Sequence, residues 1–385
     1  MNVSQVAQSP RKVDIAITGR CNLDCKYCFY ADEMTALHDL PTDRWLSLFE
    51  ELAHLGVMEV CLTGGEVFTR KDLFTLIDSI IANRMRYRIL TNGTLITEKL
   101  LAQFDVGKRR LRLDSIQVSV DGSRAEIHDK TRPNSFERAI RGLRLLVKNN
   151  FPVTVRVTIN SHNVDDLENI AQLLLDDIGI PSFGTNEVYP CGPIYRTEEQ
   201  IMLSSAQRTK AMQVLTALSE RYNGRISAQA GPLALARHSQ IIEDSLAVGE
   251  IGIPGRGHLV GCGCPFSTIS VLHDGTIVPC HILHMFHLGT IGTDEIQQVW
   301  LDNETENRLR TRRAVPLSSL DTCADCPYQG FCTGGCPGIA VAMTGDLNGR
   351  DPMSCYRIYK GEDNALTPDE FTSFSVENND ETRSI

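Results

Sequence analysis

The chain has 385 residues, enough for two domains and a sizeable core, and its 42% apolar and 22% charged content is ordinary for a globular protein. A net charge of −10 argues against non-specific binding to nucleic acid or to an anionic membrane, which needs a basic face. No apolar stretch reaches membrane-spanning length, and the polar residues before the first strand contain no secretory h-region. Thirteen cysteines in such a chain fit metal ligation better than disulfides, so the expected compartment is the reducing cytoplasm.

After a short segment over residues 1–12, β-rich runs alternate with amphipathic stretches as far as residue 230. Val13–Thr18, Val57–Thr63, Tyr87–Leu90, Ser115–Val120, Val153–Ile159 and Phe183–Tyr189 read as strands. Asp43–Leu55, Lys71–Arg84, Glu98–Phe104, Ser135–Lys148, Asp165–Asp176 and Ser205–Tyr222 read as helices. This alternation predicts an α/β fold with a parallel sheet and right-handed crossovers, whose ligand-binding loops lie at the carboxyl ends of the strands. A connector over 231–260 holds one helix, Leu233–Ser245, and a Gly/Pro-rich stretch. A cysteine- and glycine-rich region over 261–360 follows, and an acidic tail over 361–385 is expected to be flexible.

The first strand runs directly into Gly19-Arg-Cys-Asn-Leu-Asp-Cys-Lys-Tyr-Cys-Phe-Tyr30. Cys21, Cys25 and Cys28 on one loop can hold a 4Fe–4S cube by three corners and leave the fourth iron for a substrate, which an electron carrier would not need. A structural zinc site is the simpler alternative, but it usually pairs two C-x2-C knuckles, and no fourth cysteine lies near Cys28. The C-x3-C-x2-C spacing with Tyr27 before the last cysteine resembles the signature of the radical S-adenosylmethionine (SAM) superfamily. The resemblance implies a partial (β/α)6 barrel over 13–230. It also implies reductive cleavage of SAM to a 5′-deoxyadenosyl radical.

Three strand ends carry the SAM contacts that the resemblance implies. Thr63-Gly-Gly-Glu66 ends strand two and matches the element that holds the SAM ammonium, through Gly64, Gly65 and Glu66. Asn92 closes strand three, and Ser119 and Asp121 close strand four. Asn92-Gly93 and Asp121-Gly122 also suit ordinary turns. His128-Asp-Lys-Thr-Arg132 resembles a family loop with an arginine near SAM, and reads equally as a solvated charged loop. Arg156 lies mid-strand, where a charge is costly unless it faces the lumen and finds a partner, so it is a candidate contact for SAM or substrate. Cys61, between Val60 and Leu62, reads as a core thiol.

Downstream, Cys264 precedes Gly275 and Cys280; then come Cys323, Cys326, Cys332, Cys336 and Cys355. This resembles the seven-cysteine pattern of SPASM domains, which carry two auxiliary 4Fe–4S clusters. By position, an inner cluster would take Cys280, Cys336 and one or both of Cys262 and Cys264, and an outer one Cys323, Cys326, Cys332 and Cys355. Cys191 is a candidate hydrogen-atom donor or substrate contact, with an inert loop thiol as the alternative. Of His281, His284 and His287, His281 is the candidate expected to face the inner cluster. It stands where sulfatase-maturing relatives have an aspartate base, which counts against that activity.

The resemblance implies a maturase that modifies a ribosomally made precursor peptide by C–H abstraction. The alternatives are oxidation of a small metabolite or protein side chain, and a non-catalytic iron–sulfur or zinc peptide-binding protein. The implied cofactors are one SAM-binding and two auxiliary 4Fe–4S clusters with SAM; the implied donor is of flavodoxin or ferredoxin type. With twelve residues ahead of the first strand, a leader peptide is expected to be recognised by a separate leader-binding protein or by the barrel and SPASM surfaces.

Overall fold

In the computed structural model, residues 6–36, 38–195 and 200–361 are described. The expected tail over 361–385 therefore lies outside them, apart from Gly361. Ten strands form one sheet: β1 (Lys12–Ala16), β2 (Glu59–Thr63), β3 (Arg86–Thr91), β4 (Leu113–Ser119), β5 (Val153–Ile159), β6 (Phe183–Glu187), β7 (Ile226–Ala228), β8 (Thr268–Val271), β9 (Thr276–Val278) and β10 (Gly289–Thr290). Strands β1 to β7 lie side by side in chain order and pair in parallel.

Alternating side chains explain the layers. In β5, Val153, Val155 and Val157 point to the helix side, and β-branched residues suit a pleat buried there. The helix Phe136–Lys148 returns a matching stripe, Phe136, Ala139, Ile140, Leu143 and Leu146, at helical spacing. Trp45, Phe49, Tyr87 and Phe104 fill the same core. The other face of each strand lines the lumen and is polar: Asp14 stands opposite Cys61 in β2 and Ser270 in β8. Cys61 accordingly faces away from Val60 and Leu62, and its thiol bonds the Asp14 carboxylate. It is a buried lumen residue rather than one packed among its apolar neighbours in sequence.

The six expected strands are present, with ends shifted by up to two residues. Two further features depart from expectation. The expected helix Asp165–Asp176 starts as α over Leu167–Ala171 and widens to a π-helix over Gln172–Asp177. The cysteine-rich region continues the barrel sheet: β8 pairs in parallel with β1, and the hairpin β8–β9 and strand β10 extend it. The amino-terminal segment clamps the same junction, because Trp300 Nε1 donates to the Ala7 carbonyl at 2.8 Å.

Candidate active site

The loop after β1 is held from three sides. The Asp39 carboxylate accepts from the Thr18 hydroxyl and the Gly19 amide, both at 2.7 Å. The Gly64-Gly65 pair packs on its backbone, with the Gly65 amide on the Thr18 carbonyl at 2.8 Å and the Glu66 amide on the Arg20 carbonyl at 2.8 Å. A Cβ at Gly65 would stand 2.3 Å from the Arg20 oxygen, and one at Gly64, where φ is +131°, 2.4 Å from the Thr18 oxygen. The glycines thus seat the cysteine loop on β2. Third, Asn22 bridges to Asn92 at 3.0 Å and Thr94 at 2.8 Å, tying the loop to the end of β3.

On this frame Cys21, Cys25 and Cys28 lie within one another's electrostatic reach, and burial pushes Cys25 up to about 12. The Leu23 amide and Arg132 Nη1 point at the sulfurs of Cys21 and Cys25, at 3.4 and 3.8 Å. Below them, Asp121 is fully buried and accepts from Arg132 Nε at 2.5 Å, from the Tyr27 hydroxyl and from the Thr158 amide at 2.8 Å. Arg132 also lies 5.3 Å over the Tyr27 ring. The charged loop of the sequence is therefore a buried clamp. Arg132, which the resemblance placed near SAM, is thus drawn into the clamp, while its support His128 was not among the expected site residues.

Glu66 is buried. Its carboxylate accepts from the Thr91 hydroxyl at 2.7 Å, the Asn92 amide at 2.8 Å and the Phe68 amide at 3.2 Å. No lysine or arginine among the described residues pairs with it, so an incoming ammonium would find a charge that the protein leaves uncompensated. Burial pushes its pKa up, opposed by those hydrogen bonds and by the Arg132 field. Ser119 and Arg156 are register partners in β4 and β5 but stand outside this network. Arg156 reaches the Thr185 carbonyl at 3.3 Å and Gln117 at 3.4 Å, finds no carboxylate among the described residues, and feels the field of Tyr189.

Across from the loop, Cys191 is buried and lies within the fields of Cys28 and Cys336; burial pushes it up to about 12. Its neighbour Gly192, at φ +68°, packs on the Cys28 carbonyl, where a Cβ would come to 2.8 Å. The thiol is thus enclosed between two cysteine sets. His281 follows Cys280 on a short turn, its ring 6.1 Å from Tyr30 and its enclosed Nε2 without a partner. Burial pushes its pKa down to about 4, so the ring is neutral. His284 instead faces Glu33 at 3.7 Å.

Cys262, Cys264, Cys280 and Cys336 converge, each within the field of at least one other. Cys264 donates to Cys262, which lowers the pKa of Cys262. Cys323, Cys326, Cys332 and Cys355 line one pocket with Arg350 and Tyr328. Its sulfurs receive the Gly334 amide at 3.4 Å and Arg350 at 3.7 Å. Each set offers four cysteines, the all-thiolate donor set that iron–sulfur clusters take. A cleft of about 770 Å³ opens elsewhere: at the amino ends of β1–β4, lined by Arg11, Arg84, Arg86 and Arg112.

Comparison with known proteins agrees with this layout. Residues 15–174 match the radical SAM superfamily, and residues 262–327 match the SPASM iron–sulfur cluster-binding domain. The chain is a radical SAM enzyme with a SPASM domain. Its domains are those that bind SAM and iron–sulfur clusters. An AdoMet-dependent heme synthase of Methanosarcina barkeri is 26% identical over 361 residues, 91% of this chain and 98% of that protein. A PqqA peptide cyclase of Bradyrhizobium diazoefficiens is 26% identical over 351 residues, 89% of this chain and 85% of that protein. In fold the enzyme resembles Streptococcus suis SuiB bound to its precursor peptide SuiA (TM-score 0.69, 14% identity, 91% and 77% of the two chains). It also resembles anSMEcpe with bound AdoMet (TM-score 0.67, 18% identity, 91% and 96%). No helix among the described residues is long and apolar enough to cross a membrane.

Proposed function

We propose that this enzyme cleaves SAM reductively and uses the 5′-deoxyadenosyl radical to abstract hydrogen from a C–H bond of a ribosomally made precursor peptide. The observation that carries the reading is the enclosure of one thiol between two cysteine sets, with the uncompensated Glu66 carboxylate beside the first. Cys21, Cys25 and Cys28 hold the SAM-binding cluster. Cys262, Cys264, Cys280 and Cys336 hold an inner auxiliary cluster, and Cys323, Cys326, Cys332 and Cys355 an outer one. When bound, the first cluster supplies the electron that breaks the sulfonium.

The protein's own groups do the rest. Glu66 receives the methionyl ammonium, while Gly64 and Gly65 hold the cysteine loop against it. Asp121, through Tyr27 and Arg132, fixes that loop; Asn92 and Ser119 bound the nucleotide side. Arg156 receives a carboxylate of SAM or substrate, since burial without an anion is costly. Cys191 faces the substrate radical as hydrogen donor or positioning thiol, and neutral His281 offers Nε2 to substrate. The electron comes from a flavodoxin- or ferredoxin-type donor, and in the cytoplasm the peptide is recognised by a separate leader-binding protein or by the barrel and SPASM surfaces. The name of the PqqA peptide cyclase and the peptide-bound SuiB structure support a peptide substrate.

A second reading, oxidation of a small carboxylate-bearing metabolite, is favoured by unpaired Arg156 and by the near full-length likeness to the heme synthase. Co-expression with any short peptide encoded beside the gene, followed by mass spectrometry, separates the two. A mass change in the peptide that depends on Cys25 supports the maturase. An unchanged peptide with SAM still cleaved supports the metabolite reading.

A further inference from the structure

Behind the inner cysteine set stand three arginines whose nearby acids accept no hydrogen bond from them. The helix Glu304–Thr311 and the turn Arg312–Ala314 carry Arg310, Arg312 and Arg313 onto the back of the 262–266 segment. Arg313 Nη2 donates to the Cys262 carbonyl at 3.2 Å, and its guanidinium lies 3.8 Å over Phe266. Arg310 Nε donates to the Pro265 carbonyl at 2.9 Å while stacking 4.4 Å over Trp300. Arg312 Nη2 reaches the Gly349 carbonyl at 3.4 Å, beside the turn where Asp351 accepts from the Cys336 amide. Arg310 and Arg312 are 3% and 2% exposed.

Three N–H groups, Arg310 Nη2, Arg312 Nε and Arg313 Nε, are buried without a hydrogen-bond partner. Buried guanidinium groups need a counter-charge. Glu306 is 3.6 Å from Arg310, and neither of its oxygens accepts a hydrogen bond. Burial pushes Glu306 up to about 8, which removes most of its charge near neutrality. Asp351 is already engaged by Cys336, Met353 and Ser354, and Asp346 acts on Arg312 only through its field. The strongest anionic fields on Arg312 are those of Cys262 and Cys336, ahead of Asp346 and Asp351. At the first loop the balance differs, because Arg132, the guanidinium on the Cys25 sulfur, is paired with Asp121.

We propose that Arg310, Arg312 and Arg313 form a cationic wall that raises the reduction potential of the group held by Cys262, Cys264, Cys280 and Cys336 above that of the SAM-binding group. Added negative charge is cheaper beside fixed positive charge. The wall therefore makes the inner site the acceptor of the electron left on substrate, which sets the reaction as a net oxidation. This rests on the ligand sets proposed above. Substrate carbon loses a hydrogen atom to the 5′-deoxyadenosyl radical, giving 5′-deoxyadenosine. The carbon radical then yields one electron to the inner group and one proton to solvent as the new bond forms. The electron leaves through the outer group to an oxidised flavodoxin- or ferredoxin-type carrier.

The test is an EPR-monitored redox titration of the anaerobic holoenzyme and of Arg312→Gln, Arg313→Gln and Arg312→Lys. The SAM-binding signal is the one that changes on adding SAM, and Cys323→Ala removes the outer one. The inner midpoint should move to more negative potential in both Gln variants and stay near wild type in Arg312→Lys. The SAM-binding midpoint and the dithionite-driven release of 5′-deoxyadenosine should not change. An unmoved inner midpoint in the Gln variants overturns the proposal, as does an equal fall in Arg312→Lys. So does loss of the inner signal in all three variants, which would make the wall purely structural. Failure of the proposed function would show separately, as wild-type enzyme that releases no 5′-deoxyadenosine while its midpoints remain measurable.

Discussion

Asp121 binds four partners with one carboxylate and one amide: Tyr27 and Arg132 through Oδ2, Thr158 through Oδ1, and His128 Nδ1 through its N–H. Removing one side of a buried ion pair leaves the other uncompensated, so Asp121→Asn should cost about 3–5 kcal/mol. Denaturant unfolding of the metal-free protein measures this, and a loss under about 1 kcal/mol, the range of surface pairs, would contradict a buried clamp. His128 is wholly enclosed, with Nε2 on the Ser135 hydroxyl at 2.9 Å, and burial pushes its pKa down to about 4. An unfolded histidine binds its proton near pH 6.5, so below that pH the unfolded chain takes up a proton the native state refuses. Stability from this group is complete above about pH 6.5 and declines by about 3 kcal/mol as pH falls toward about 4. His128→Gln should flatten the unfolding free energy between roughly pH 4.5 and 6.5; an unchanged slope would show that the ring is not the source.

At the level of elements, the loop carrying Cys21–Cys28 keeps its shape because β2 ends in two glycines whose Cβ positions are already occupied by backbone oxygen. Gly65→Ala should displace the loop and lose the SAM-binding cluster, lowering iron by roughly four of about twelve atoms per chain. Iron and sulfide analysis with retention of the auxiliary EPR signals checks this, and full iron content would contradict it. The strands and most helices were legible because β-branched runs and helical stripes carry their period locally, as in Val153–Ile159 and Phe136–Lys148. The widening at Gln172–Asp177 has no such local signal. Cysteine spacing was legible because loop ligands sit close in sequence. The burial of Arg132 was not, because it depends on the Asp121 and Tyr27 that fold over the charged loop from elsewhere.

Over the whole molecule, the cysteine-rich region is fastened to the barrel by backbone as well as by side chains. Strand β8 pairs with β1, the Ile296 amide meets Glu51 at 2.6 Å, and Trp300 holds Ala7. Ending the chain at residue 260 would strip the partner from β1 and expose an apolar edge bounded by Val13 and Ile15. The truncated barrel should therefore aggregate on expression; a soluble monomer with a cooperative melt would contradict that dependence. No sequence signal named β1 as the partner of β8, because the pairing joins residues far apart in the chain. The same junction sets Cys191 between the first loop and Cys336, where the proposed reaction needs its radical source and its electron acceptor to meet. The direct measurement is made on anaerobically reconstituted enzyme reduced with dithionite and given SAM. The account predicts 5′-deoxyadenosine from the wild type and none from Cys25→Ala; a wild type that leaves SAM intact while carrying its full iron would contradict it.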